Sequence, residues 1–315
     1  MVEQPSVSKN HPMATLVSAF GPNLEFAREL APFTSYRTGG RAKYFVLATT
    51  PGDVIKSIQA ARRLDIPFFL LGGGTNILVA DSGFDGVVIK IEISGLYRLS
   101  ETEVKSGAGE SLMALVTFAM ENSMSGLEFA AGIWGTVGGA IYGNAGAFGG
   151  EIGSVVKSIL LVDREGETRA VPPEYCKFDY RDSHLKRSQE VILEATFELQ
   201  PGDRVEIQKK VEDILAARDG KHPNDGKSAG CFFKNIPDAT QPHGKLAAGK
   251  LLDEAGVKGL SVGGARVFEK HANIIVNTGS ATSKDIRELA DMMKKMVREK
   301  FGITLEEEVM QIGNF

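Results

Sequence analysis

GLEFAAGIWGTVGGAIYGNAGAFGGEIG, residues 126–153, carries glycine at ten of 28 positions and charge only at Glu128 and Glu151. Glycine inside a helix or strand costs about 1 kcal/mol against alanine, so a run this dense needs an offsetting use. Loops and a helix packed tightly against a sheet are one such use. Bare main chain is the other: its N–H groups can meet an anion, and a large ring system can lie flat against it. From glycine content alone both stand, although a run with only two charged residues suits a neutral ring system and a pyrophosphate better than a solvated loop. A second cluster, Gly72-Gly73-Gly74, closes an apolar run at 68–71 and adds the short donors Thr75 and Asn76.

Outward from these clusters, short apolar runs alternate with helical periods, the pattern of an α/β or α+β protein. Asp53 is expected to cap a helix with Val54, Ile55, Ile58, Ala61 and Leu64 on one face. Strands are expected at 68–71, 86–91 and 103–105, then a helix carrying Leu112, Leu115, Val116, Ala119 and Met120. A hairpin is expected from 155–162 and 167–171 about Asp163-Arg164-Glu165-Gly166, followed by a strand at 190–199 and a helix at 205–218. A boundary is placed near Gly220. Beyond it, strands are expected at 231–234, 273–277 and 304–310, with helices at 246–255 and 284–301, the last capped by Ser283 or Thr282. The polar start, with Pro5 and Pro12, reads as a disordered tail over residues 1–20.

Lys and Arg number 36 against 40 acids in 315 residues, so no basic surplus favours nucleic acid. Two cysteines, Cys176 and Cys231, cannot make a disulfide scaffold and fit a reducing, cytoplasmic setting. No apolar stretch approaches the roughly 18 residues of a membrane span. Two nucleotide motifs nearly match and fail. Leu112 fills the third glycine position of a dinucleotide fingerprint at Gly107-Ala108-Gly109, and Gly226-Lys227-Ser228 lacks the earlier glycine of a P-loop. The histidines, His11 and His243 among them, have no ligand spacing, and no metal is expected.

Six segments in order carry a resemblance: Ser35-Tyr36-Arg37-Thr38-Gly39-Gly40, residues 71–79, residues 132–150, Tyr180-Arg181-Asp182-Ser183, residues 229–235 and Leu305-Glu306-Glu307-Glu308-Val309. Together they resemble the UDP-N-acetylenolpyruvoylglucosamine reductase (MurB) family over roughly residues 25 to 313. The resemblance implies an α+β chain: a two-part FAD-binding domain of the vanillyl-alcohol-oxidase/PCMH type at 21–90 and 91–219, and a substrate-binding domain at 220–315. It implies FAD and NADPH as cofactors, a UDP-sugar as substrate, no nucleic-acid or membrane partner, and a monomer. FAD would be held by Arg37, Thr38 and Gly39, by Gly72, Gly73, Gly74, Thr75 and Asn76, and by Gly132, Gly135, Thr136, Gly138, Gly139, Asn144, Gly146 and Ala147.

By the same resemblance Arg181 clamps the substrate carboxylate, Cys231 gives the proton and Glu308 stabilises or protonates the enolic intermediate. Tyr180, Lys221, Lys234, Asn235 and His271 would meet the sugar and diphosphate. Many relatives have serine where Cys231 stands; a thiol is the stronger acid, and the exchange predicts sensitivity to oxidation. Trp134 replaces a more familiar proline, and the short run from Arg181 to Glu190 implies the type without a substrate-covering tyrosine loop. The rival reading is an FAD oxidase or dehydrogenase of the same cofactor fold. It has no need of Arg181, Cys231 and Glu308 together.

Overall fold

The computed structural model describes residues 12–223, 227–241 and 244–315. His11, His243, Gly226 and the first eleven residues of the expected tail lie outside them. The rest of that tail is a correction, because Pro12–Phe20 is a helix. A proline in the first helical turn removes only an N–H that has no helical partner anyway. Ala19 and Phe20 at the far end are buried in the main core.

Two sheets face the glycine-rich segments. The first is ordered Leu24–Glu29, Arg41–Ala48, Phe84–Ile91, Phe68–Leu71, antiparallel in its first pair and parallel thereafter. Its strand Phe84–Ile91 is buried on both faces from Val87 to Ile91, as a central parallel strand must be. The helix Pro51–Arg63 covers one face with Val54, Ile58 and Ala61. Thr50, not Asp53, is its N-cap; Asp53 sits at the third helical position, its N–H donating to Thr50 Oγ1 and its carboxylate accepting from the Thr50 N–H, a reciprocal box.

The second sheet is antiparallel, ordered Thr168–Val171, Val156–Val162, Val191–Glu198, Glu103–Gly107, Leu96–Arg98. The hairpin about Asp163 is present, its Oδ1 accepting from the Glu165 and Glu167 N–H groups. Helices Leu112–Glu121 and Arg204–Asp219 pack on this part of the core.

A separate core forms from helices Ala248–Ala255 and Ser283–Phe301 against the small sheet of Ser261–Val262, Ala265–Val267 and Ile275–Asn277. Thr282 caps the long helix, with Asp285 closing the box. Two expected strands are corrected here. Residues 231–234 make only the single bridges Cys231 to Ile274 and Phe233 to Glu307, and of 304–310 only the end joins a strand, Met310–Ile312. That last strand pairs in parallel with Ile77–Val79 and so ties the chain's end to the loop after Gly74. Among the described residues no helix is long and apolar enough to cross a membrane.

Candidate active site

Between the cores lies a cavity of about 1440 Å³, lined by the 72–76 loop, the 132–148 segment, Arg181, Gly230, Cys231 and Glu308. The two glycine clusters meet along it. A Cβ on Gly73 would stand 2.8 Å from the Gly135 Cα, and one on Gly74, which has φ +65°, would stand 1.9 Å from the Phe33 carbonyl oxygen. No side chain fits between these main chains. Thr75 Oγ1 donates to the Trp134 carbonyl at 3.1 Å and holds the pair together.

Both loops leave some amides unpaired. The N–H groups of Val137 and Gly138 donate to the carbonyls of Glu110 and Ala108, and that of Gly139 to Thr136 Oγ1. Among the described residues the N–H groups of Gly135 and Thr136, like those of Gly73, Gly74, Thr75 and Asn76, have no backbone acceptor. Gly74 and Thr136 are buried and Thr75 and Gly135 half-buried, and amides in this condition call for an acceptor from outside. Both loops line the cavity and carry unpaired amides beside bare Cα surface.

At one end three groups converge. Arg181 Nε lies 3.0 Å from Glu308 Oε1, an ionic contact not aligned as a hydrogen bond, and Arg181 Nη2 donates to the Gly146 carbonyl at 2.7 Å. Glu308 is fixed by its backbone: its N–H donates to the Phe232 carbonyl, beside Cys231, and its own carbonyl accepts from Asn76 Nδ2. Alternation in the sequence could not choose among three successive glutamates, and the structure separates them. Glu306 reaches outward to Lys234, Glu307 pairs with Arg287 and Lys294, and Glu308 faces the cavity.

Electrostatics sharpen the picture. Burial, then the Glu308 charge, push the Cys231 thiol up to about 11 against the pull of Arg181 and Arg218. This thiol is protonated at neutral pH. Sensitivity to oxidation follows thiolate character and exposure; the raised thiol weighs against the first, while the side chain is half-buried and lines the cavity. Burial also raises Glu308, with Arg181, Lys186 and Lys234 opposing.

Of the other expected residues, Gly72 to Asn76, Gly132, Gly135, Thr136, Gly138, Gly139, Gly146 and Ala147 line the cavity. Thr38, Gly39 and Asn144 do not. Thr38 accepts at its hydroxyl from Ser283 Oγ, a Cβ on Gly39 would strike Val79, and the Asn144 amide is spent on Asp179 and Gly153. Arg37 lines a smaller groove of about 340 Å³ that shares Gly73, Thr75 and Trp134 with the cavity. Tyr180, Lys234 and Asn235 stand just outside the lining: the Asn235 N–H donates to the Tyr180 hydroxyl at 3.4 Å, and Asn235 Oδ1 accepts from Ala248.

Lys221 and His271 also lie outside it, and His222 takes the lining position. Burial and then the Arg218 charge push His222 down to about 4, so it is neutral at pH 7. Arg218 and Lys186, both lining the cavity, were not anticipated. In the sequence Arg218 is one of several cations on a long helix and Lys186 one of two in a short run, and no pattern marks either.

Two family models match the chain: "FAD binding domain" over residues 42–171 and "UDP-N-acetylenolpyruvoylglucosamine reductase, C-terminal domain" over 222–312. The UDP-N-acetylenolpyruvoylglucosamine reductase of Lachnoclostridium phytofermentans is 40% identical, with 90% of this chain and 91% of that protein aligned. That of Geobacillus kaustophilus is 37% identical over 89% and 90%. Among solved structures, the UDP-N-acetylenolpyruvylglucosamine reductase of Thermus caldophilus superposes with a TM-score of 0.76 at 33% identity, covering 92% of this chain and 98% of that one.

Proposed function

We infer what the chain does from one premise: it belongs to the UDP-N-acetylenolpyruvoylglucosamine reductase family. It reduces the enolpyruvyl ether of UDP-N-acetyl-3-O-(1-carboxyvinyl)-glucosamine to the lactyl ether of UDP-N-acetylmuramate, a peptidoglycan precursor. FAD is the resident cofactor and NADPH the electron source, in the cytoplasm where such precursors form. The observation that carries this reading is the convergence of Arg181, Glu308 and Cys231 at one end of a glycine-walled cavity.

The cavity fits FAD on its own terms. Its volume of about 1440 Å³ exceeds the roughly 300–1,000 Å³ of ordinary small-molecule sites, as a dinucleotide beside a sugar nucleotide requires. The free amides of Gly73 to Asn76 suit a pyrophosphate, and the side-chain-free wall at Gly135, Gly138 and Gly139 suits a flat ring. When bound, FAD supplies hydride transfer from NADPH to the methylene carbon of the enolpyruvyl group.

The chain's residues handle the charge and the proton. Negative charge develops on the carbon next to the methylene and on its carboxylate, and the Arg181 guanidinium, always charged, binds that carboxylate by its fork. The Cys231 thiol, kept protonated by its pocket, gives the Sγ proton to that carbon. Glu308, raised by burial and in ionic contact with Arg181, helps to stabilise or protonate the enolic intermediate. Lys234 and Asn235, just outside the lining, would meet the sugar and diphosphate where these extend beyond it.

The experiment is an anaerobic titration. The purified protein is expected to be yellow, to bleach with NADPH and to recover its colour with the enolpyruvyl UDP-sugar. Recovery with simple sugars or hydroxy acids instead would favour an oxidase of the same cofactor fold.

A further inference from the structure

Arg181 holds an awkward conformation. Asp179 and Asp182 exchange backbone hydrogen bonds at 3.1 Å, so Tyr180 and Arg181 form the apex of a two-residue turn, and Arg181 has φ +53°. That left-handed position favours glycine or asparagine, and a long side chain there is disfavoured. Something must hold the turn. The Asn144 side chain supports its first residue by donating to the Asp179 carbonyl. At Arg181 itself the carbonyl accepts from Lys186 Nζ at 2.6 Å. The Lys186 ammonium also lies 5.9 Å from the Tyr142 ring centre and lines the cavity.

We propose that Lys186 is a positioning residue: by holding the Arg181 carbonyl it fixes the turn that aims the guanidinium at the substrate carboxylate. It therefore serves the second half-reaction and not the first. This rests on the functional reading above. A solvated lysine would not be half-buried against its neighbour's carbonyl. Desolvation lowers the Lys186 ammonium, Asp182 and Glu308 support its charge, and Lys234 and Arg187 oppose it.

Lys186→Met is expected to purify with flavin and bleach with NADPH at the wild-type rate. Its reoxidation by the enolpyruvyl UDP-sugar should fall about a hundredfold, the scale of a small misplacement of a reacting group. Calorimetry adds a readout free of turnover. The variant should lose about tenfold in affinity for UDP-N-acetylmuramate, whose lactyl carboxylate Arg181 would grip, and nothing for UDP-N-acetylglucosamine, which lacks it. Lys186→Arg, which keeps a charged donor, should recover most of both losses and covers the case in which the methionine variant does not fold. Combined with Arg181→Lys, the Lys186→Met change should cost nothing more.

Wild-type reoxidation in Lys186→Met overturns the proposal, as do equal losses for both UDP-sugars or losses that multiply in the double variant. A wild-type protein that bleaches but is not reoxidised by the enolpyruvyl sugar overturns the functional reading itself.

Discussion

At pH 8 a thiol pushed up to about 11, as burial and the Glu308 charge do to Cys231, is ionised in about one molecule per thousand. Iodoacetamide attacks thiolate, so its reaction with Cys231 should run at least about a hundredfold slower than with a free cysteine. Labelling at the free rate, read by mass spectrometry, would show a pocket that leaves the thiol acidic and exposed. Cys231→Ala should bleach normally with NADPH yet fail to be reoxidised by the enolpyruvyl sugar, and Cys231→Ser should recover much of that step; full turnover in the alanine variant removes the thiol from the mechanism. The sign for Glu308 is the acid's. Its carboxyl is raised above the ordinary value of 4.5, so its contribution to stability is whole below that value and is lost as pH rises through the raised one. Glu308→Gln is therefore expected to melt no lower than wild type at pH 8, with the difference vanishing toward pH 4, while reoxidation collapses. A melting temperature well below wild type at pH 8 would mean that the Arg181 contact outweighs burial.

Loops, helices and strands carry the next argument, and the glycine clusters are its centre. Gly73→Ala puts a methyl group 2.8 Å from the Gly135 Cα, where two main chains must part, at a cost of about 1–3 kcal/mol. The variant should purify pale, with the 72–76 loop displaced from its position lining the cavity. Gly149→Ala is the matched control: it has φ +83° but nothing within 4 Å, so it should stay yellow with only mild destabilisation. Because Gly73 has no positive φ, equal loss of colour in both variants would mean that contact with Gly135 is not what sets the colour. These clusters were legible as sequence because glycine density is costly, and the structure shows tight packing at Gly73 and Gly74 against Gly135 and Phe33. The hairpin about Asp163 and the long helix capped by Thr282 were legible for local reasons, a turn residue and a capping box. What escaped was set by distant partners. Residues 231–234 look like a strand but meet Ile274 and Glu307 through single bridges. Likewise Lys186 acquires its role only because a left-handed turn five residues earlier presents a carbonyl to it.

Across the whole molecule, the cavity borrows from every core. Phe69 and Leu71 belong to the cluster under the first sheet, Ala140 and Ile192 to the large one, and Ala229 to the C-terminal one. The strand Met310–Ile312, paired with Ile77–Val79, closes this arrangement, and the Met310 N–H donates to the Asn76 carbonyl at 3.0 Å. A ligand filling such a cavity binds only when all these parts are assembled, so it draws on the folding equilibrium of the whole chain. Flavin at a hundred times its dissociation constant should then stabilise the protein by about 2.7 kcal/mol. For a chain of this size that is a rise in melting temperature on the order of 5 °C, growing with flavin concentration. The check is calorimetry of flavin-stripped protein with and without added FAD, with Asn76→Ala alongside. Loss of the Asn76 side chain frees the Glu308 carbonyl and should shrink the flavin-induced rise. If FAD leaves the stripped protein's melting temperature unchanged, the glycine-walled cavity is not where the dinucleotide binds, and the assignment of the free amides at 73–76 falls with it.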